Sequence, residues 1–322
     1  MKTLVIYPNE NGHFLNYLNI IKDTDKENVI SLKSNRISEI IKYCHTKKII
    51  KVVFLSGDSD CIKSFLLKCV FPSLNISLII YYSFENKNKG FKYSLKKILL
   101  KSLTYINIKL LLLEGDISTV KYIRQNNIKI LYDPLMLINT SNKEKLKSNI
   151  KVNYLVAGYL DDRKSLRLFF NVLKNLSNND SKKRVVTLLG VQTNSTKKFL
   201  SNLKELSNIE IIQKNYRYDD SELEKELYKC DLVWAAYQNH QGSSGFVINA
   251  VQFNKPVIFI ATGVLKRFSN ELNIDILPKN LLESEIEACL LRLAKNKQYS
   301  SESRANFLNK REKKKFIKEI LN

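Results

Sequence analysis

The chain has 322 residues, is 44% hydrophobic and 10% aromatic, and contains only 9 Gly and 5 Pro, which excludes fibrous and disordered classes and leaves room for two domains. Lys and Arg number 53 against 31 Asp and Glu, a formal net charge of +22, so its natural partners are anionic: phosphorylated substrates, membrane surfaces or nucleic acid. The 5 cysteines and 3 histidines show neither C-x-x-C nor zinc spacing, which argues against a disulfide framework or a zinc site.

The first residues, "MKTLVIYPNENGHF", carry one Lys and a short apolar run, too little for a signal peptide. Strands are predicted at 3–7, 28–32, 50–55, 76–82, 108–114 and 128–132. Between them lie helical stretches, such as 12–21 with Phe14, Tyr17, Leu18 and Ile21 at i, i+3, i+4, i+7, and 118–126. Strands that are apolar throughout and separated by helices imply a parallel sheet covered on both faces, a Rossmann-like domain over 1–138. Residues 139–150 lose the alternation, gain Ser, Asn and Lys, and read as a linker.

A second alternating series fills 151–308. Strands are expected at 153–160, 184–190, 209–213, 231–237 and 256–261, and helices at 164–176, 195–206, 219–229 and 283–296. A basic helix over 309–322 closes the chain and is expected to cross back to the first domain. The expected fold class is therefore α/β, two Rossmann-like domains facing a central cleft, with ligands beyond the carboxyl ends of the strands. The apolar runs "LIIYY" and "LLLL" are too short to cross a bilayer, and a cytoplasmic protein is expected.

Three strand ends carry candidate chemistry. "QGSSGFVINAVQFNKPV" (241–257) places Gly242, Ser243, Ser244 and Gly245 at the start of a helix, where free N–H groups and the helix dipole favour a phosphate. Gln241 and Asn249 flank it with neutral amides. "AGYLDDRKS" (157–165) ends a strand at Gly158, offers Asp161 or Asp162 as a helix cap, and sets Arg163 and Lys164 in the first turn as phosphate ligands. "YPNENGHF" (7–14) sets His13 at a helix start behind Asn11 and Gly12, a neutral imidazole able to accept a hydroxyl proton. No G-x-G-x-x-G follows the first strand, and no Walker loop or Ser-His-Asp order is present.

The second half resembles the nucleotide-sugar-binding domain of GT-B glycosyltransferases, especially the retaining family four. "AGYLDDRKS" matches that family's glycine turn and R-K pair, and "QGSSGFVINAVQFNKPV" matches its E-G-F-G-x-x-x-x-E motif and the K-P-V that follows. The resemblance covers 110 or so residues, with the first domain matching in architecture only. It implies a donor diphosphate held by Lys164, Arg163 and residues 242–245, and a sugar at Gln241. It further implies a ribose at Asn249, a base near Tyr216 and Arg217, and an acceptor-side loop at Asn11, Gly12 and His13, with His13 and Gln241 as the catalytic candidates. Both motif glutamates are amides here, and Tyr159 stands where an Arg often follows the glycine, so donor contacts differ from the family's, while the resemblance implies retention of configuration.

Between Glu85 and Glu114 the chain has no acidic residue but seven Lys; on a helix from 91, Lys92, Lys96, Lys97 and Lys101 border an apolar arc of Phe91, Leu95, Ile98, Leu99 and Leu103. That is the composition of an interfacial helix on an anionic membrane. The expected activity is transfer of a sugar from a nucleotide-diphosphate sugar, without a tightly bound metal or cofactor, to a glycan or lipid-linked acceptor. Surface polysaccharide or glycolipid assembly on the inner face of the cell membrane is the expected setting. The alternatives are a nucleic-acid-binding protein on a Rossmann-like fold, disfavoured by the dispersed basic residues, and a non-catalytic GT-B relative that only binds a nucleotide sugar.

Overall fold

The computed structural model describes residues 2–9, 13–34, 36–81, 91–115, 125–137, 151–203, 208–274, 282–295 and 298–321. It divides into two compact units: Met1–Pro134 with Gln241–Ser243 and Lys310–Asn322, and Leu135–His240 with Ser244–Asn309. The predicted linker at 139–150 and most of the helical stretch at 118–126 lie outside the described residues.

The first unit alternates β1 (Thr3–Tyr7), α1 (His13–Thr24), β2 (Val29–Lys33), α2 (Ile37–Lys47), β3 (Lys51–Phe54), α3 (Gly57–Val70), β4 (Asn75–Ile80), α4 (Phe91–Tyr105), β5 (Ile108–Leu113) and β6 (Ile128–Leu131). The six strands are all parallel, in the order β2-β1-β3-β4-β5-β6. Alternate side chains of each strand point to opposite faces, and helices cover both, which is why the strand sequences are apolar throughout. Leu4, Ile6, Val52, Phe54, Leu78, Ile80, Leu110 and Leu112 form one face with Leu100 and Leu103 of α4. On α1, Tyr17, Leu18 and Ile21 are buried as their spacing predicts.

A last helix, α12 (Lys313–Leu321), belongs to this unit. It buries Phe316, Ile317 and Ile320, and the Phe316 ring lies 4.9 Å from that of Tyr17. Just before it, Arg311 makes a two-pronged ion pair with Glu114, at 2.8 and 3.0 Å, and both side chains are fully buried. Glu114, in left-handed conformation at the end of β5, also accepts from the Asp133 amide.

The second unit contains β7 (Lys151–Ala157), α5 (Leu166–Asn179), β8 (Lys183–Leu189), α6 (Asn194–Ser201), β9 (Ile209–Lys214), α7 (Asp220–Lys229), β10 (Leu232–Ala235), α8 (Gly245–Gln252), β11 (Val257–Phe259), α9 (Gly263–Leu272), α10 (Glu283–Lys295) and α11 (Ser301–Lys310). Its five parallel strands run β11-β10-β7-β8-β9. Leu155, Ala157, Val233 and Ala235 face one core layer, and Tyr154, Val156, Leu232 and Trp234 the other. Asp219, Thr193 and Ser244 cap α7, α6 and α8 by accepting from an amide three residues on.

Two expectations need correction. The helix expected at 164–176 begins only at Leu166, because Ser165 takes a left-handed conformation (φ 52°) and breaks it from a short 3-10 turn at Asp162–Lys164. Asp161 caps that turn, accepting from the Arg163 amide, rather than the helix. The apolar arc expected on α4 is split: of its members Leu103 is buried and Leu99 packs against the core, joined by Leu100 from outside the arc, whereas Leu95 and Ile98 are 57% and 61% exposed. Helices α9 and α11 were not anticipated from the sequence.

Candidate functional site

The carboxyl end of β7 fixes the first half of the site. Gly158 has a positive φ of 103°, and a Cβ on Gly190, at the end of β8, would meet the Gly158 carbonyl oxygen at 2.0 Å. Only glycine at 190 lets the two strand ends close this tightly. The chain then turns through Asp162–Lys164, and this turn is held on several sides. The Trp234 indole donates to the Lys164 carbonyl (2.8 Å), the Gln238 amide to the Arg163 carbonyl (2.8 Å), and the Ser195 hydroxyl to Asp162 (2.7 Å). Trp234 is itself stacked on Phe169 at 4.5 Å.

That scaffold drives the Lys164 side chain inward, not toward solvent as a helix-first-turn position would. Its ammonium donates to the Ala157 carbonyl (2.8 Å) and lies 4.1 Å from the centre of the Tyr237 ring and 5.9 Å from that of Phe246. Among the described residues no carboxylate forms an ion pair with it. Burial pushes its pKa down to about 7, with Asp161 opposing the shift. A desolvated ammonium with unused N–H donors is a strong attractor for an anion. Arg163, by contrast, is exposed and paired with Asp161 at 2.8 Å.

The second half is the start of α8. Ser244 is buried and caps the helix toward Val247, which leaves the Gly245 and Phe246 amides without an acceptor inside α8. Phe246 and Asn249 are buried on the same helix. Tyr237, at the end of β10, is buried beneath Lys164, and its hydroxyl pKa is pushed up to about 12, chiefly by that burial. Lys164, Tyr237 and Phe246 therefore meet, and all belong to the second unit.

Gln241, Gly242 and Ser243 group with the first unit. The Ser243 hydroxyl donates to Asp133 (2.6 Å), whose other oxygen accepts from Tyr17 (2.7 Å). Gly242 has nothing within 4 Å of where a Cβ would stand. Tyr216 and Arg217, after β9, are exposed, and the Tyr216 hydroxyl donates to Glu222, raising its own pKa. His13 opens α1, and Lys101 is half-buried on α4. Asn11 and Gly12 lie outside the described residues, as do the side chains of His13, Lys92, Lys96 and Lys97. Among the described residues no group of three or more His, Cys, Asp or Glu is placed to hold a metal ion.

Sequence reasoning passed over Tyr237 and Asp133. Tyr237 closes the strand expected at 231–237 and shows its value only when Lys164 folds onto it; Asp133 is a lone acid before Pro134 with no local pattern.

Two parallel α/β units of this kind define the GT-B fold. In particular, the chain is similar to a glycosyltransferase from Rickettsia africae (15% identity, TM-score 0.71, covering 99% of this chain and 96% of that one). It is likewise similar to the lipopolysaccharide outer core galactosyltransferase WaaB (13%, TM-score 0.70, 100% and 98%). HepE of Anabaena, solved with UDP, matches at 13% identity and TM-score 0.68, over 100% and 98% of the two chains. No protein-family model matches the chain, and no curated protein matches it in sequence.

Proposed function

We propose that the chain is a glycosyltransferase that moves a sugar from a nucleotide-diphosphate sugar to a glycan or lipid-linked acceptor. The observation that carries this reading is Lys164, a buried ammonium without a carboxylate partner among the described residues, in the unit that also holds the open start of α8. As the bond between sugar and diphosphate breaks, negative charge builds on the leaving phosphate. Fixed positive charge and oriented amides stabilise that charge without having to reorganise. Lys164 supplies the first, and the amides after Ser244 supply the second. Arg163 adds an exposed cation nearby in sequence. The similarity to HepE, also solved with UDP-glucose, supports a nucleotide sugar as donor.

In this reading Gln241 hydrogen-bonds the transferred sugar, and Asn249 the ribose. Tyr216 and Arg217 flank the base, Asn11 and Gly12 line the acceptor side, and His13 accepts the proton of the acceptor hydroxyl. Retention at the anomeric carbon goes with the resemblance to family four, and the anomeric proton signals of the product test it. The primary experiment is a thermal-shift screen against UDP, GDP, CMP and their sugar conjugates, since a ligand that binds the folded state raises its apparent melting temperature by mass action. A shift with one nucleotide class supports the reading. No shift at millimolar ligand, together with a shift by RNA or DNA, would replace it with the nucleic-acid alternative.

A second reading, of location, draws support from the neighbouring helices α3 and α4. On α3, Ile62, Phe65, Leu66 and Val70 share one face and are 41–64% exposed; on α4, Leu95, Ile98 and Tyr105 are 57–61% exposed. Exposed apolar side chains on α4, in a lysine-rich stretch free of acids, beside those of α3 suit an anionic bilayer surface. No described helix is long and apolar enough to cross a membrane. Flotation with vesicles of neutral and of anionic lipid tests the idea, and equal behaviour with both would discard it.

A further inference from the structure

The resemblance assigns Ser243 to the donor phosphate, but its hydroxyl proton is already committed. A serine has one hydroxyl proton, and that of Ser243 goes to Asp133 at 2.6 Å. Asp133 is 2% exposed, and its two oxygens accept from Ser243 and Tyr17, while its own amide donates to Glu114. Glu114 is in turn clamped by Arg311. Freeing the Ser243 proton for a phosphate would strip a buried carboxylate of one of its donors, which is unfavourable. The pair is therefore an anchor for the chain around Ser243, not a phosphate hook.

We propose that Asp133 is a positioning residue: by holding Ser243 it fixes the segment Gln241–Ser243, and through it the placement of Gln241 toward the transferred sugar. The inference rests on the glycosyltransferase reading, in which Lys164 and the α8 amides carry the phosphates and Gln241 the sugar. Gly242, between the two, has open space where a side chain would stand, so neither packing nor backbone strain demands a glycine there, and a ligand has room to reach the backbone. A loop that must present one amide to a sugar gains from a rigid anchor two residues away, because misplacement of a contacting group by about 1 Å is costly to reaction rate.

The test separates sugar from phosphate. Calorimetric titration of the full chain with UDP and UDP-glucose, and in parallel with GDP and GDP-mannose, gives the sugar increment, the ratio of the two dissociation constants. Ser243→Ala and Asp133→Asn are each expected to leave nucleoside-diphosphate affinity within about twofold and to cut the sugar increment about five- to tenfold, the size of one lost hydrogen-bonding interaction. The double variant is expected to lose no more than the worse single variant, since both act through one bond. Ser243→Thr retains the hydroxyl and should retain the increment, and melting curves of every variant identify any that fails to fold. Equal loss of diphosphate and sugar-conjugate affinity would overturn the proposal and return Ser243 to the phosphate; an unchanged increment, or additive losses, would overturn it as well. If the wild-type chain binds neither partner of either pair, the glycosyltransferase reading itself fails, and the positioning role with it.

Discussion

The Lys164 ammonium sits 4.1 Å from the centre of the Tyr237 ring, with its hydrogen bond to the Ala157 carbonyl fixing it there. The ring face offers cation–π attraction and Asp161 offsets part of the desolvation, but among the described residues no carboxylate pairs with the ammonium, so much of that penalty remains in the unliganded site.

Replacement of this lysine is expected to separate stability from function. Between pH 7 and 10.5 the unfolded chain holds a proton on Lys164 that the folded chain has released, so the depressed pKa of about 7 lowers stability at neutral pH. Lys164→Met should therefore unfold at higher temperature, with a gain of up to ~3 kcal/mol at pH 7, while nucleotide-diphosphate affinity falls at least about tenfold. Differential scanning calorimetry and titration on the same samples check both halves.

The same group sets a pH dependence of binding. An anion favours the protonated lysine, so affinity is greatest below pH 7 and declines as the pH rises through about 7. Above pH 8 the dissociation constant of the nucleoside diphosphate should rise about tenfold per unit in wild type and stay nearly flat in Lys164→Met. Titrations from pH 6 to 9 in buffers of different ionisation enthalpy measure the slope and the proton taken up.

Two glycines should respond in opposite ways to alanine. At Gly190 (φ 129°) the new methyl would stand 2.0 Å from the Gly158 carbonyl oxygen, and a loss of ~3 kcal/mol or more, read by urea denaturation, is expected. At Gly242 the methyl meets nothing within 4 Å, so Gly242→Ala should melt like wild type yet bind the nucleotide sugar more weakly.

The buried pair Arg311–Glu114 predicts a third contrast. Arg311→Met leaves Glu114 buried without its cation and should cost about 3–5 kcal/mol, whereas adding Glu114→Gln to that variant should recover part of the loss. Urea denaturation of the two variants and wild type decides.

The doubly repeated β/α architecture was legible because each strand is an unbroken apolar run and each long helix an amphipathic one; "IKLLLL" and the Phe14–Ile21 spacing leave little choice. The Gly-Ser-Ser-Gly segment was legible as a helix start, and Ser244 takes the capping place. What escaped was every feature set by tertiary closure. The left-handed Ser165 converts a helix start into a 3-10 turn, and with that change Lys164 turns from a surface cation into a buried one. Asp133 and Ser243, 110 residues apart, share no local pattern that could have announced their bond. The α4 face divided because Leu99, Leu100 and Leu103 pack against the core while Leu95 and Ile98 do not, a matter of helix placement and not of composition.

The return of Lys310–Asn322 to the first unit has a consequence for synthesis. On the ribosome the N-terminal sheet emerges first, yet Glu114 waits nearly two hundred residues for Arg311, and Tyr17 still longer for Phe316. The second unit has its whole chain available earlier, so the nascent protein is expected to finish its later-encoded half before its earlier one. Until then Glu114 lacks its buried cation, and a ribosome stalled short of codon 311 would hold the first half in its most chaperone-dependent form.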